Sequence, residues 1–259
     1  MVITAAQVKE LRERTGVGMM ECKNALTITE GDMEKAMEEL RKKGLSKAAK
    51  KADRETSEGY IKVECEGSKC YVLTLTCETD FLAKSEGFQK LVSRLMDMLK
   101  SGKSLEEMEQ TKNESVLELG ENMTIKVAKV IEGNKIESYV HSNGKLAAVV
   151  VSKKSDTDSE KLRQVAMHVT ATNPDFLATS DISLESVEKE KSIQMEIMKN
   201  DPKMVGKPEK VLENILIGKI NKFKDDISLL EQAFVINPDL KVKHFIGEDT
   251  LEAFYRFSI

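Results

Sequence analysis

Apolar positions along this chain move between a helical and an alternating period, and the changes divide it into three parts. The first runs to about Asp53. Thr4-x-x-Gln7 has the form of a capping box and is followed by Val8 and Leu11 on one helical face. "GVGMM" (16–20) breaks that helix, and a second starts near Met20 with Ala25 and Leu26 inward. Gly31-Asp32 breaks the pattern again. Asp32 then caps a third helix with Ala36, Met37 and Leu40 inward and Gly44 at its end. Three short helices predict a small bundle with a thin core.

The period then changes to two. "YIKVECEGSKCYVLTLTC" alternates around a turn at Glu66-Gly67-Ser68 and places Tyr71, Leu73, Leu75 and Cys77 on one face of a hairpin. A helix follows with Phe88, Leu91, Val92, Leu95 and Leu99 along one stripe. Further helix over 105–119 leads to the strand "MTIKVAKVI". The same order recurs later: "IESYVHSNGKLAAVVVSKKS" is a hairpin turning at Asn143-Gly144, and a helix with Leu162, Val165, Ala166 and Val169 inward comes after it. "LESVEKEKSIQMEIMKN" and "PEKVLENILIGKINKF" read as a helical hairpin joined by "DPKMVGKP", with short strands and one helix behind it.

These patterns predict an α+β fold: an N-terminal three-helix bundle followed by two related α+β subdomains, each laying helices on a small antiparallel sheet. The expected boundaries are 1–54 for the bundle and a basic linker, 55–139 for the first subdomain and 140–259 for the second, with its helical hairpin at about 181–224.

Composition narrows the function. Of 259 residues, 32% are charged and 40% hydrophobic, ordinary for a helix-rich soluble protein. No apolar run is long enough for a membrane span, and Glu10 and Glu13 near the start argue against a secretory or import leader, so a cytoplasmic protein is expected. A net charge of −4 disfavours broad binding to nucleic acid or anionic lipid. The seven basic residues between Arg41 and Arg54 read as a solvated helical linker; an RNA-binding arm would need aromatic or glycine-rich company. Cys22, Cys65, Cys70 and Cys77 contain no C-x-x-C pair and suggest free thiols rather than a zinc site or a disulfide framework.

No phosphate cradle, dinucleotide fingerprint, zinc-protease motif or nucleophile elbow occurs. Cys70 or Cys77 with His141 or His168 would be the residual catalytic combination, and lone Cys and His in apolar elements are usually structural. Two places are open to either a structural or a partner reading. In "ETDFLAKSEGF" a carboxylate and an aromatic stand together where a strand gives way to a loop. Asp80 is either a helix cap or a partner contact, and Phe81 is either a core anchor or a rigid wedge. Met19 and Met20, with Arg12 and Arg14 near the same end, are either core plugs or a pliable contact patch.

"VKELRERTGVGMMECKNAL" and "TCETDFLAKSEGF" closely resemble the bacterial translation elongation factor Ts family, and "IKVAKVIEG", "SYVHSNGK", "VAMHVTATNPDFL" and "KINKF" extend the likeness over nearly the whole chain. The resemblance implies a guanine-nucleotide exchange factor, without catalytic residues, cofactor or metal of its own. It would bind elongation factor Tu in GDP-bound and nucleotide-free forms, displace Mg²⁺ and release GDP so that GTP can bind. It further implies that the bundle is ubiquitin-associated-like and touches the GTPase through Arg12, Met19 and Met20. Thr79, Asp80, Phe81 and Leu82 would enter beside the nucleotide site, His141 would meet other domains of the partner, and Ile182 to Phe223 would be the helical hairpin. Direct contact with nucleic acid or membrane is not implied, and a homodimer or a two-to-two complex is left open. Family members often continue past the "F-x-R-F" strand with a C-terminal helix; this sequence stops at Ile259, so contacts from such a tail are open. The rival readings are an adaptor without effect on nucleotide and an RNA-associated factor using Arg41 to Arg54.

Overall fold

A computed structural model describes residues 3–204 and 206–259. The chain divides into two compact units. The first contains the chain up to Ile131 together with Val140–Leu146 and Phe257–Ile259; the second contains Glu132–Tyr139 and Ala147–Arg256.

In the first unit, helices α1 (Ala5–Thr15), α2 (Met19–Ile28) and α3 (Met33–Lys51) form the expected bundle around Val8, Leu11, Cys22, Ala25, Leu26, Ala36 and Leu40. The capping box is present: the Gln7 amide donates to Thr4 Oγ1 at 3.3 Å and the Thr4 amide to Gln7 Oε1 at 3.0 Å. α3 does not stop at Gly44, as expected, but runs on through the basic stretch. Gly44 is there for close approach: a Cβ would lie 2.9 Å from the carbonyl oxygen of Glu114, on the later helix Leu105–Leu119. Five of the seven basic residues meet carboxylates of their own chain. Lys43 and Lys47 meet Glu21, Arg41 meets Glu114, Lys42 meets Glu38 and Arg54 meets Glu78.

Next come β1 (Glu58–Glu66) and β2 (Lys69–Cys77), paired antiparallel, then α4 (Asp80–Ala83), α5 (Glu86–Lys100), α6 (Leu105–Leu119) and β3 (Met123–Glu132), in a sheet of order β1-β2-β3. Leu73, Leu75 and Cys77 of β2 pack with Phe88, Leu91, Val92 and Leu95 of α5, as their spacing predicts.

The turn of this hairpin holds two residues, Gly67 and Ser68, not three. Gly67 takes a φ of +60°, the left-handed value such a tight turn requires. The shorter turn moves the register by one and sets Cys65 directly opposite Cys70, where the two form a disulfide with Cα atoms 4.0 Å apart. That corrects the expectation of four free thiols: one step in from the pair that closes a two-residue turn comes a pair without mutual hydrogen bonds, where cross-strand side chains stand closer. Cys22 and Cys77 are free and buried.

The second unit repeats the plan. β4 (Lys135–Val140) and β5 (Leu146–Ser152) pair, and α7 (Ser159–Thr172) lays Leu162, Val165, Ala166 and Val169 on Ala148 and Val150. α8 (Leu184–Asn200) and α9 (Glu209–Ile227) form the helical hairpin, whose connecting "DPKMVGKP" includes Val205, outside the described residues. β6 (Ala233–Phe234), β7 (Asn237–Lys241), α10 (Val242–Ile246) and β8 (Leu251–Ser258) complete it, β8 closing the sheet order β4-β5-β8. Among the described residues, no helix is long and apolar enough to cross a membrane.

Candidate functional site

The site is the end of β2. β2 is the central strand of its sheet, so its apolar residues are covered and the chain leaves it at a fixed point. Thr79, not Asp80, is the N-cap of α4: its Oγ1 accepts from the Leu82 amide at 3.2 Å. Leu82 and Ala83 then turn inward and join the core beside Phe88 and Leu91, with Leu82 only 8% exposed. With those inward positions filled, the residue before them must face out. Phe81 is 84% exposed. The ring is therefore not a core anchor of its own subdomain; it faces outward.

Asp80 beside it is half exposed and accepts from Lys84 Nζ at 2.8 Å, one helical turn on. That hydrogen bond, with a smaller contribution from the charge of Lys145, holds the Asp80 carboxyl below the usual carboxylate range. Its charge is engaged within its own turn. Among the described residues no cluster of three or more His, Cys, Asp or Glu could hold a metal ion.

What holds the turn came from residues that the pattern analysis had not singled out. The Thr79 amide donates to Glu121 Oε2 at 2.9 Å and its hydroxyl to Glu121 Oε1 at 2.6 Å. In return the Asn122 amide donates to Glu78 Oε1 at 2.6 Å. Two adjacent residues on each of two segments thus grip one another through carboxylate-to-amide bonds, stronger than neutral ones. The Cys77 thiol adds a bond to the Thr79 carbonyl at 3.2 Å, and burial, then the Glu121 charge, pushes that thiol up to about 12. The only sequence trace of this clamp is a Glu-Asn pair between a helix-ending Gly120 and a strand, too common a pattern to read.

His141 is brought to the same end of the unit. It is exposed, its amide donates to the Leu146 carbonyl at 2.8 Å, and the turn it opens is fixed by the Ile61 amide donating to the Gly144 carbonyl at 2.8 Å. Lys145 of that turn pairs with Glu58, the residue opposite Cys77. Arg12, Met19 and Met20 lie on the bundle and are exposed, Met20 at 68%. Of the residual catalytic combination, Cys70, Cys77 and His168 are engaged structurally. Cys70 is in the disulfide, and buried His168 accepts from the Val235 amide at 3.1 Å while its Nε2 meets Gln232 Oε1 at 2.8 Å.

A protein-family model described as Elongation factor TS matches residues 78–259, a stretch that opens on the Glu78-Thr79-Asp80-Phe81 turn itself.

Proposed function

The chain belongs to the elongation factor TS family, and so to the factors of translation elongation, and from that premise we propose that it is a guanine-nucleotide exchange factor for elongation factor Tu. The observation that carries the proposal is Phe81: a bare aromatic ring, 84% exposed, on a four-residue helix whose neighbouring residues are locked into the core. A solvated ring on a fixed mount gains free energy by entering another protein's groove at small entropic cost.

Linkage sets what the ring must do. A protein that binds nucleotide-free partner better than the nucleotide complex weakens nucleotide by the same factor. Nanomolar nucleotide binding corresponds to about 12 kcal/mol, and a thousandfold loosening takes about 4 kcal/mol. Burying one Phe contributes about 1.5–3 kcal/mol. Phe81 alone falls short, so other surfaces must hold the partner and drive the ring home. Arg12, Met19 and Met20 on the bundle and the His141 turn are assigned that holding role. Phe81 then parts packed groups beside the partner's metal site, and Mg²⁺ loosens from the phosphates as its ligands move. Asp80, engaged by Lys84, stiffens the turn rather than taking the metal, and Leu82 anchors it from beneath.

The test is release of fluorescent GDP from elongation factor Tu with and without this protein. A rate that rises with its concentration supports exchange. Complex formation with an unchanged release rate would leave only the adaptor reading. Binding of RNA with steep salt dependence would favour the third, although the cations between Arg41 and Arg54 largely face carboxylates of their own chain.

A further inference from the structure

We propose that Glu121 and Asn122 form a coupling node that sets the direction of Phe81 and ties it to the end of α3, so that force taken up by the bundle reaches the ring; this rests on the exchange reading above. A threonine hydroxyl has one proton to give. In Thr79 that proton goes to Glu121 Oε1 at 2.6 Å, which leaves a lone pair for the Leu82 amide at 3.2 Å. Glu121 therefore fixes the rotor that caps α4, and α4 carries Phe81. A cap alone would have been enough to start a helix; the second grip of Glu121 on the Thr79 amide at 2.9 Å fixes the angle at which that helix leaves the strand.

Asn122 continues the link on the other side. It is 5% exposed, and its side-chain amide donates to the Arg54 carbonyl at 2.7 Å and the Ala52 carbonyl at 3.3 Å, while Lys51 Nζ donates to the Gly120 carbonyl. Three segments remote in sequence meet here: the end of α3, the joint between α6 and β3, and the turn into α4. α3 is also the bundle helix that crosses α6 at Gly44. Holding surface and wedge are thereby one stiff piece, which a division of labour between them requires. Glu121 is a positioning residue, acting through Phe81.

The experiment is a double-mutant cycle on GDP release, with affinity for nucleotide-free elongation factor Tu measured in parallel. Glu121→Ala removes both bonds to Thr79 and should slow release by about tenfold, the effect of at least one hydrogen bond to a charged group, with little change in affinity. In a Phe81→Ala background it should add nothing further, because the ring it aims is gone. Glu121→Gln, which keeps the shape and one acceptor, should fall between wild type and Glu121→Ala. Additive losses, or equal losses of rate and affinity, overturn the proposal. Hydrogen exchange at the Thr79 and Leu82 amides is read on the protein alone and should quicken in Glu121→Ala; unchanged protection would overturn the node by itself. If the wild-type protein fails to speed release, the exchange reading falls, and amide exchange still judges the node separately.

Discussion

The two units leave their central strands in different ways. In the second, β5 ends at Ser152, whose Oγ meets Thr157 Oγ1 at 2.7 Å, accepts from the Lys154 amide at 3.0 Å and donates to the remote Thr250 carbonyl at 3.0 Å, which the Lys153 amide also reaches at 2.8 Å. Lys153 to Asp156 are exposed and polar. In the first, β2 ends at Cys77 and the loop is gripped by carboxylates 42 and 44 residues apart in sequence from their partners, and it presents an aromatic ring to solvent. One plan of hairpin followed by helix thus gives, in one copy, a polar loop anchored to a backbone carbonyl and, in the other, a carboxylate-clamped turn that carries an exposed ring. On the exchange reading, the carboxylate clamp and the bare ring, and not the shared plan, would set the first copy apart.

The comparison can be broken at several points. The largest effect is expected at Leu82. Leu82→Ala empties a core position and should destabilise the first unit by about 2–5 kcal/mol, whereas Phe81→Ala next to it should change stability by less than about 0.5 kcal/mol; denaturant titration of both variants checks this. Similar losses would mean that the two side chains are not sorted inward and outward.

A smaller effect, confined to the second unit, is expected at His168. Burial pushes its pKa below the ordinary value, partly opposed by the bond to Gln232. The fold therefore favours the neutral ring, which accepts from the Val235 amide. Stability from this group is complete above about pH 6.5, the unfolded value, and is lost as pH falls through the depressed folded one. Unfolding measured across that range should show the decline, and His168→Gln should flatten it; the same slope in both proteins would exclude His168 as its source. The smallest effect is expected from Ser155→Phe, which places a ring on the exposed loop after β5. Added to Phe81→Ala, it should restore no GDP release, since a ring there lacks the place of α4 and the grip of Glu121 on Thr79. Recovery would show that any exposed aromatic suffices.

Local signals were legible in the sequence where physics is local. The Thr4–Gln7 box, the Asp32 cap and the stripe Phe88, Leu91, Val92, Leu95 all follow from spacing within one element. Gly44 misled because a glycine that ends a helix and one that admits a crossing helix look alike until α6 is placed. The disulfide was hidden by one residue of turn length, since a slip of one changes every partner along a strand. Phe81 stood out as odd but not as exposed; its direction depends on Leu82 and Ala83 filling the core. Glu121 had no periodicity to betray it, because a clamp between loops is a property of the assembled fold.

The central claim is that Phe81 acts on the nucleotide while other surfaces hold the partner. The direct measurement pairs stopped-flow GDP release with affinity for nucleotide-free elongation factor Tu, for wild type and Phe81→Ala. Release should fall about 10- to 100-fold, the equivalent of one buried Phe, while affinity falls far less. Equal falls in the two quantities would show that the ring merely helps to hold the partner, and would contradict the account.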